Sequence, residues 1–399
     1  MNKIIERTLY LKQLEMWLEK DIIKVVTGVR RSGKSTLLEL FINFLKKKDI
    51  SDEQIIYVHL DYEENSHLLN HKSLHNYISS KILKNKRMYL FIDEVQNCTD
   101  YEKAISSIHL NKMVDIYITG SNAYMLSGEL ATKLTGRYIE ISMLPLSFVE
   151  YGKIVSISNQ HSLFNDYMNY GAFPFAATLV ENSLMHSQYL QGVYTTVMVK
   201  DILTRKRITD SALLESIIRF LCSNMGSPVS AKKIADTLTS SGRPVGSTTV
   251  DTYLEAICDA YLFYKVQRYD IKGKMNLKTE PKYYICDTGI RNVVLSIENK
   301  DIGHILENIV YLELLRRGYI VSIGKAGRTE IDFVVSKNKQ IEYYQVSASV
   351  LDKGTLAREI EPFNHIKDNY PKFLITMDNV TSDHNGIKQF NVISWLQKE

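Results

Sequence analysis

One segment constrains the fold of this chain more than any other: Gly28-Val29-Arg30-Arg31-Ser32-Gly33-Lys34-Ser35, which has the spacing G-x-x-x-x-G-K-S. An apolar run, Ile22 to Thr27, precedes it, and a helical pattern with one apolar face follows from Lys34 to Leu45. A strand, a glycine-rich turn and a helix in this order place backbone N–H groups and a helix N-terminus around phosphate groups. The segment therefore predicts a nucleotide-binding domain built on a parallel sheet.

Each polar side chain of this loop has an expected role. Lys34 should reach the β- and γ-phosphates, the Ser35 hydroxyl should bind Mg²⁺, and Thr36 should hydrogen-bond the α-phosphate. The other residues of the loop should contact the phosphates mainly through their backbone: Gly28, Val29, Arg30, Arg31, Ser32 and Gly33. The predicted ligands are ATP and Mg²⁺, although nothing in the loop separates ATP from GTP.

A second apolar run, Met88 to Ile92, leads directly into Asp93 and Glu94. A buried strand of a parallel sheet would present these two acids at its carboxyl end, where ligands bind in α/β folds. We expect Asp93 to hold Mg²⁺, directly or through water, and Glu94 to act as the general base for the attacking water. Together with the phosphate loop, the acid pair predicts hydrolysis of ATP.

A third strand pattern, Val114 to Thr119, ends in small polar residues that include Ser121 and Asn122. If this strand neighbours the acid-bearing strand, either side chain could contact the γ-phosphate or the attacking water. An ordinary polar turn is the alternative. The pattern does not choose between Ser121 and Asn122.

Arg137 is the candidate for an arginine that stabilises charge during hydrolysis, either in its own subunit or toward a neighbouring one. A surface ion pair is an equally good interpretation of this residue. Arg30 and Arg31, inside the phosphate loop, are further candidates.

The pattern of the chain predicts an α/β protein with several parts. After a P-loop core over residues 1–142, residues 143–208 are mainly helical and predict a helical lid. Residues 209–290 show three helices and then a β-ribbon, the order of a winged helix-turn-helix. Residues 300–399 mix helical and strand patterns and contain a hairpin around Lys337-Asn338-Lys339.

These motifs together resemble the AAA+ ATPases of bacteria and archaea that carry a double arginine in the phosphate loop. The Thr119-Gly120-Ser121 strand end and Gly136-Arg137-Tyr138 are part of the resemblance, as are Leu144-Pro145-Leu146-Ser147-Phe148-Val149-Glu150 and Gly171-Ala172-Phe173-Pro174. The resemblance extends over nearly the whole chain. It implies an ATP-binding fold with a helical lid, a winged helix and a nuclease-like C-terminal domain. Helices on both faces of the sheet are expected from the alternation of strand and helix patterns.

In the C-terminal part, Glu307, Asp332 and Gln345 are similar to the metal-binding residues of PD-(D/E)xK nucleases. That chemistry also needs a lysine two residues after the third of them, on the same face of the strand. Ser347 stands at this position, and a hydroxyl cannot supply the charge of an ammonium group. We therefore predict a nuclease-like fold without nuclease activity.

The charges of the winged-helix region leave its partner open. The third helix carries Asp251, Glu255 and Asp259 and no Lys or Arg, which opposes simple reading of a DNA groove. The segment 265–282 holds six Lys or Arg residues and could follow a DNA backbone, or could be a solvated basic hairpin. A regulatory scaffold or a protein-remodelling factor that contacts a protein client is the alternative function, and the oligomeric state is not predicted.

The composition argues against some classes of protein but does not assign a function. The net charge of +4 over 399 residues neither requires nor excludes a nucleic-acid partner. The four cysteines, Cys98, Cys222, Cys258 and Cys286, lack C-x-x-C spacing, so we expect reduced structural thiols. No apolar stretch approaches the roughly 18 residues that a membrane helix needs, and no signal peptide is recognisable at the N-terminus. We expect a cytoplasmic protein that does not contact a membrane.

Overall fold

The computed structural model describes residues 4–123, 134, 136–204, 206, 208–296, 301–327 and 329–398, with the side chains of 276–279 left out. The chain divides into two compact units. The first comprises Met1–Pro145 and Asp259–Tyr261, and the second comprises Leu146–Cys258 and Leu262–Glu399.

A parallel five-stranded sheet in the order β2-β3-β4-β1-β5 forms the centre of the first unit. Its strands are β1 (Ile23–Thr27), β2 (Ile55–His59), β3 (Met88–Asp93), β4 (Val114–Gly120) and β5 (Tyr138–Ser142). The helices described in this unit are α1 (Thr8–Met16), α2 (Lys34–Lys47), α3 (His71–Lys81) and α4 (Tyr101–His109).

Helices cover both faces of this sheet, which explains why its inner strands β1, β3 and β4 are buried along their whole length. On one face, Leu37 and Phe41 of α2 pack with Val26 and Phe91 of the sheet. On the other face, the buried residues of α3 and α4 pack against Ile23, Ile92 and Ile118, among others. The prediction of an α/β fold with helices on both faces of a parallel P-loop sheet is confirmed.

The sheet order brings the predicted motifs together at the carboxyl ends of the strands. All five strands are parallel, so their carboxyl ends lie on the same side of the unit. β4 lies between β1 and β3, so the ends of these three strands are neighbours. Strands in a sheet are about 4.8 Å apart, which puts the loop after β1 and the acids after β3 roughly 10 Å apart, enough for a triphosphate and a metal ion.

The second unit contains helices that precede and surround a second sheet. Its helices are α5 (Phe148–Ile154), α6 (Gln160–Tyr170), α7 (Ser183–Thr196) with a π-helical continuation (Val197–Thr204), α8 (Ser211–Ser223), α9 (Ala231–Ser240), α10 (Ser247–Asp259), α11 (Thr288–Leu295), α12 (Ile302–Arg316), α13 (Lys353–Asn364) and α14 (Val392–Leu396). Its strands are β6 (Phe263–Asp270), β7 (Met275–Ile285), β8 (Ile320–Ala326), β9 (Thr329–Lys337), β10 (Gln340–Ser347), β11 (Lys372–Thr376), β12 (Ser382–His384) and β13 (Ile387–Asn391).

One eight-stranded sheet, in the order β12-β13-β11-β10-β9-β8-β6-β7, connects regions that the sequence predicts as separate domains. The antiparallel ribbon β6–β7 follows the three helices α8, α9 and α10, as the winged-helix prediction requires. Its strand β6 also pairs in parallel with β8, so the ribbon belongs to the same sheet as the C-terminal strands. The boundaries at 208, 290 and 300 stay predictions.

The predicted hairpin around Lys337-Asn338-Lys339 is present, with β9 and β10 paired antiparallel. The sequence pattern does not predict strand β8, because Ile320–Ala326 is short and mixes apolar residues with Ser, Gly and Lys. In the part of the chain that the structure describes, none of the helices combines the length and apolar character needed to cross a bilayer.

Candidate nucleotide-binding site

The phosphate loop has a backbone that depends on glycine. Gly28 has φ +138° and Gly33 has φ +101°, values that favour glycine. A Cβ atom at Gly28 would lie 2.1 Å from the carbonyl oxygen of Met143, so no other residue fits there without a shift of the backbone. Helix α2 begins at Lys34 with Gly33 as its N-cap. Because the N-cap residue has no side chain, the first N–H groups of α2 face the loop directly.

The loop already holds a buried cation. The Lys34 ammonium donates hydrogen bonds to the carbonyl oxygens of Gly28 (3.0 Å) and Val29 (3.1 Å). The buried hydroxyl of Ser32 has no hydrogen-bond partner among the described residues. An unsatisfied donor, a buried ammonium and a helix N-terminus together suit a phosphate group.

Asp93 is fully buried at the end of β3 and is surrounded by donors. The hydroxyl of Thr119, on β4, donates to Asp93 Oδ1 and accepts the backbone N–H of Glu94 at 3.0 Å. On the other side, the Tyr57 hydroxyl donates to Asp93 Oδ2 at 3.3 Å, and His59 Nε2 lies 3.3 Å from the same oxygen. Burial, with a smaller contribution from Asp93, raises the pKa of Tyr57, so the phenol keeps its proton.

Glu94 follows with φ +55°, a left-handed conformation that is uncommon for a residue with a side chain. Its carboxylate oxygen Oε2 accepts a hydrogen bond from the Gln96 amide and lies 3.4 Å from the Ser121 hydroxyl. Ser121 is therefore in contact with the predicted general base, and Asn122 is buried next to it in the sequence. Backbone strain of this kind often occurs at functional sites, where the surrounding structure maintains it.

Arg137 lies at the amino end of β1, opposite to the end that leads into the phosphate loop, and its catalytic role within its own subunit stays a prediction. Its carbonyl oxygen accepts the N–H of Ile23, the first residue of β1, at 2.8 Å. The phosphate loop begins at the other end of β1, after a strand about 13 Å long. At its own edge Arg137 is one of the positive charges, after Lys112 and His109, that lower the pKa of Asp21. A role toward a neighbouring subunit stays a prediction.

Arg7 is a site residue that sequence reasoning missed. Its buried guanidinium donates to the carbonyl oxygen of Ser32 in the phosphate loop (3.1 Å) and to that of Leu144 (2.8 Å). It also lies over the ring of Tyr10, whose hydroxyl accepts the N–H of Leu144. No local motif marks Arg7, because its partners are backbone carbonyls far away in sequence.

Other partners of the site were also missed: Tyr57, His59, Gln96 and Thr119. Only Thr119 carried a sequence signal, as the last residue of the strand before Gly120-Ser121. Arg30 pairs with Asp61 at 3.6 Å, whereas Arg31 has φ +70° and an exposed side chain. The predicted Mg²⁺ ligands, Ser35 and Asp93, lie at the ends of α2 and β3 that face the same edge of the sheet.

The sequence of the chain matches known proteins along nearly its whole length. Residues 20–152 match the family model of an AAA domain, and residues 161–301 match that of a domain of unknown function. An uncharacterized protein of Haemophilus influenzae is 38% identical over 399 residues, which cover 98% of each chain. An uncharacterized protein of Methanocaldococcus jannaschii is 30% identical over 402 residues, which cover 96% of this chain and 87% of that protein.

The chain belongs to the family of these two relatives. Its AAA domain includes the phosphate loop, Asp93, Glu94 and Ser121, and the fold is that of a P-loop ATPase of the AAA+ class.

Two solved structures align with this chain over much of its length. Cdc6p from Pyrobaculum aerophilum aligns with a TM-score of 0.32 and 13% identity, over 78% of this chain and 96% of that chain. The Orc1 protein of Aeropyrum pernix, solved in complex with DNA, aligns with a TM-score of 0.31 and 11% identity, over 74% of this chain and 94% of that chain. Values this low carry no conclusion about DNA binding by the AAA protein described here.

Proposed function

We propose that this AAA protein binds Mg²⁺·ATP at the edge of its parallel sheet and hydrolyses it to ADP and phosphate. The observation that carries the proposal is the junction of β3 and β4, where Thr119 bonds both to Asp93 and to the backbone of Glu94. This junction holds a carboxylate for the metal and a second carboxylate for the water side by side, next to the strand that leads into the phosphate loop.

Each residue of the site has a proposed role in nucleotide binding or in hydrolysis. Backbone N–H groups of the loop and the Lys34 ammonium would bind the phosphates, and Ser35 and Asp93 would hold the metal ion. Mg²⁺ bound there would supply positive charge to offset the negative charge of the phosphates. Glu94 accepts a proton from the attacking water, and Ser121, 3.4 Å from its carboxylate, orients that carboxylate or the water.

Two variants test the proposal. Lys34→Ala should lose ATP binding, because the ammonium contacts the phosphates in the ground state. Glu94→Gln should bind ATP with nearly unchanged affinity and lower kcat by about 10²- to 10⁴-fold, since only the base is removed. ATP affinity by fluorescence titration and phosphate release by a coupled assay give both numbers, and a Glu94→Gln enzyme with normal turnover would reject the assignment.

We further propose that ATP binding and hydrolysis act on the second unit of the same chain, and that this unit contacts a protein client. Arg268 and Lys282, two cations of segment 265–282, have acidic partners, which reduces the charge offered to DNA. Arg268 pairs with Glu280 and Glu330, both at 3.2 Å, and Lys282 is buried. Lys265, Lys272 and Lys274 are exposed.

DNA binding through segment 265–282 is the second candidate, supported by those three exposed lysines. A pull-down with the Glu94→Gln form, which should accumulate the ATP state, distinguishes the two. Recovery of a defined protein in that pull-down supports the first candidate. Stimulation of ATP hydrolysis by DNA, measured with the wild-type protein, supports the second. A cytoplasmic location goes with either, because Cys98, Cys222, Cys258 and Cys286 are all free thiols.

A further inference from the structure

Outside the nucleotide site, one buried lysine lies among three carboxylates. The Lys282 ammonium is 3.0 Å from Glu307 Oε1, 2.8 Å from Glu330 Oε1 and 4.0 Å from Asp332 Oδ1. The lysine comes from β7, Glu307 from α12, and the other two acids from β9. Only 5% of the lysine side chain is exposed. Carboxylates that converge from separate elements on one point are the usual arrangement around a cation.

Residues that resemble the metal ligands of nucleases lie at this point. Glu307 and Asp332 are two of the three residues that resemble PD-(D/E)xK metal ligands, and the fold brings both toward Lys282. The side-chain amide of the third, Gln345, forms two hydrogen bonds within the protein. Its oxygen accepts the N–H of Asp332 at 3.3 Å, and its nitrogen donates to Glu359 at 3.1 Å. Gln345 therefore does not complete a metal site in this arrangement.

Other side chains fix the carboxylates in place. The Tyr284 hydroxyl donates to Glu307 Oε1 at 2.6 Å, the same oxygen that receives Lys282. His304 Nδ1 lies 3.5 Å from the other oxygen of Glu307. Arg268 holds Glu330 from the far side at 3.2 Å. A network with this many partners orients its charges closely and keeps them paired.

The chain itself closes over the cluster. The turn at Gly226, just after α8, packs so tightly that a Cβ atom there would lie 2.8 Å from His304 Nδ1 and 3.2 Å from Glu307 Oε2. The N–H of Gly226 donates to the carbonyl oxygen of Tyr283, the neighbour of Lys282. A nucleic-acid strand would have to displace this turn to reach Glu307.

We propose that the Lys282 ammonium is the resident cation of this cluster, in the position that a divalent metal ion holds in a nuclease. An ammonium 2.8 to 3.0 Å from two carboxylate oxygens and a metal ion about 2.1 Å from its ligands need the same space between the same oxygens. The two cations therefore exclude each other. Glu307, Glu330 and Asp332 should become a divalent-cation site only when this ammonium is removed.

The test compares Mn²⁺ binding by full-length variants without nucleotide, measured by the loss of the free-Mn²⁺ electron paramagnetic resonance signal. Wild type and Lys272→Met, a change at an exposed ribbon lysine, should show the same weak binding. Lys282→Met should gain one site that is at least about tenfold tighter, because the carboxylates lose their internal cation. Adding Asp332→Asn to Lys282→Met should remove that site.

Removal of a buried ammonium leaves unpaired acids, so Lys282→Met is also expected to melt at a lower temperature and to regain stability in Mn²⁺. A folded Lys282→Met protein that gains no Mn²⁺ site would overturn the proposal. The wild-type background supplies a second route that does not depend on that variant. Loss of Mn²⁺ binding, or of Mn²⁺-dependent plasmid cleavage, in the single variant Asp332→Asn would show that the metal and Lys282 coexist.

Discussion

At the scale of single residues, Thr119 links the two acids of the candidate nucleotide site. One hydroxyl donates to the Asp93 carboxylate and accepts the N–H of Glu94, which is held in a left-handed conformation. Removing it leaves a buried carboxylate with one donor fewer and a buried N–H without its acceptor, which costs about 1–3 kcal/mol. The geometry of both acids thus depends on a side chain of the neighbouring strand.

Thr119→Val, which keeps the shape and removes the hydroxyl, should lower kcat by roughly 10- to 100-fold while ATP affinity changes little, because the acids are misplaced and the phosphate loop is untouched. Thr119→Ser keeps the hydroxyl and serves as the matched control, with activity near that of wild type. Steady-state ATPase kinetics and ATP titration separate the two parameters. Equal loss in both variants would mean that packing, and not the hydroxyl, matters at this position.

At the scale of elements, the turn from β1 into α2 depends on Gly28. Its φ of +138° and the nearby carbonyl of Met143, the residue after β5, leave no room for a side chain. The close approach fixes the start of the phosphate loop against the strand next to β1.

Gly28→Ala should weaken ATP binding by at least about tenfold, since the loop must move to accommodate the added methyl group. The control is Gly192→Ala on the exposed side of α7, where an added Cβ meets no atom within 4 Å. That change should leave ATP binding unaltered and stabilise the helix by about 0.5–1 kcal/mol. Thermal melts and ATP titrations measure both, and normal ATP affinity in Gly28→Ala would contradict the steric argument.

A second element-scale feature is the N-cap of α11. The Asp287 carboxylate is buried and accepts the N–H groups of Ile290 (3.1 Å) and Ala172 (2.5 Å). Burial raises the pKa of Asp287 to about 6, although the backbone donors oppose the shift. The folded protein therefore retains a proton on this group at pH values where the unfolded chain has lost it.

The sign of the pH effect follows. The stabilising contribution of the protonated carboxyl is fully present below the unfolded pKa of 3.8 and is lost as pH rises through about 6, a change of about 3 kcal/mol. Asp287→Asn does not titrate, so the stability of wild type relative to this variant should fall between pH 4.5 and pH 7.5. Thermal melts of both proteins across that range provide the measurement. A difference that stays constant with pH would show that Asp287 ionises normally.

At the scale of the whole molecule, the distribution of charge matters more than its total. The net charge is +4. In segment 265–282, the ribbon of the predicted winged helix, some cations form ion pairs with acids of the same unit and others are exposed to solvent. Arg268 and Lys282 stabilise the second unit, and Lys265, Lys272 and Lys274 remain at the surface. Helix α10, which a winged helix would place in the major groove, has no cation at all.

If DNA binds segment 265–282, the logarithm of its affinity should fall with the logarithm of salt concentration with a slope of about −3, roughly one unit for each of the exposed lysines Lys265, Lys272 and Lys274. Fluorescence anisotropy with a labelled duplex at several salt concentrations measures this slope. The triple change Lys265→Ala, Lys272→Ala, Lys274→Ala should abolish binding. A slope near −6 that becomes shallower in Arg268→Ala would instead show that the internal ion pairs open on DNA.

The candidate nucleotide site was predictable to the extent that its arrangement is local. The loop from Gly28 to Ser35 and the acids after β3 could be read directly, because a strand, a turn and a helix in sequence determine where backbone N–H groups and carboxylates point. The parallel sheet followed from apolar runs that are buried on both faces. The pairing of β3 with β4 brings Ser121 to Glu94. The sequence pattern does not establish this pairing, so a role for Ser121 could be predicted only on the assumption that the two strands are neighbours.

What the amino-acid sequence determined by itself was the phosphate loop, the acid pair and the class of fold, since these depend on residues that are close together in the chain. Only the tertiary structure decided the rest. It placed Arg137 at the amino end of β1, brought Arg7 to the carbonyl of Ser32, and set Lys282 among acids 25 to 50 residues away. Contacts of this kind depend on strand order and on the approach of distant elements, and neither leaves a periodic pattern in the sequence.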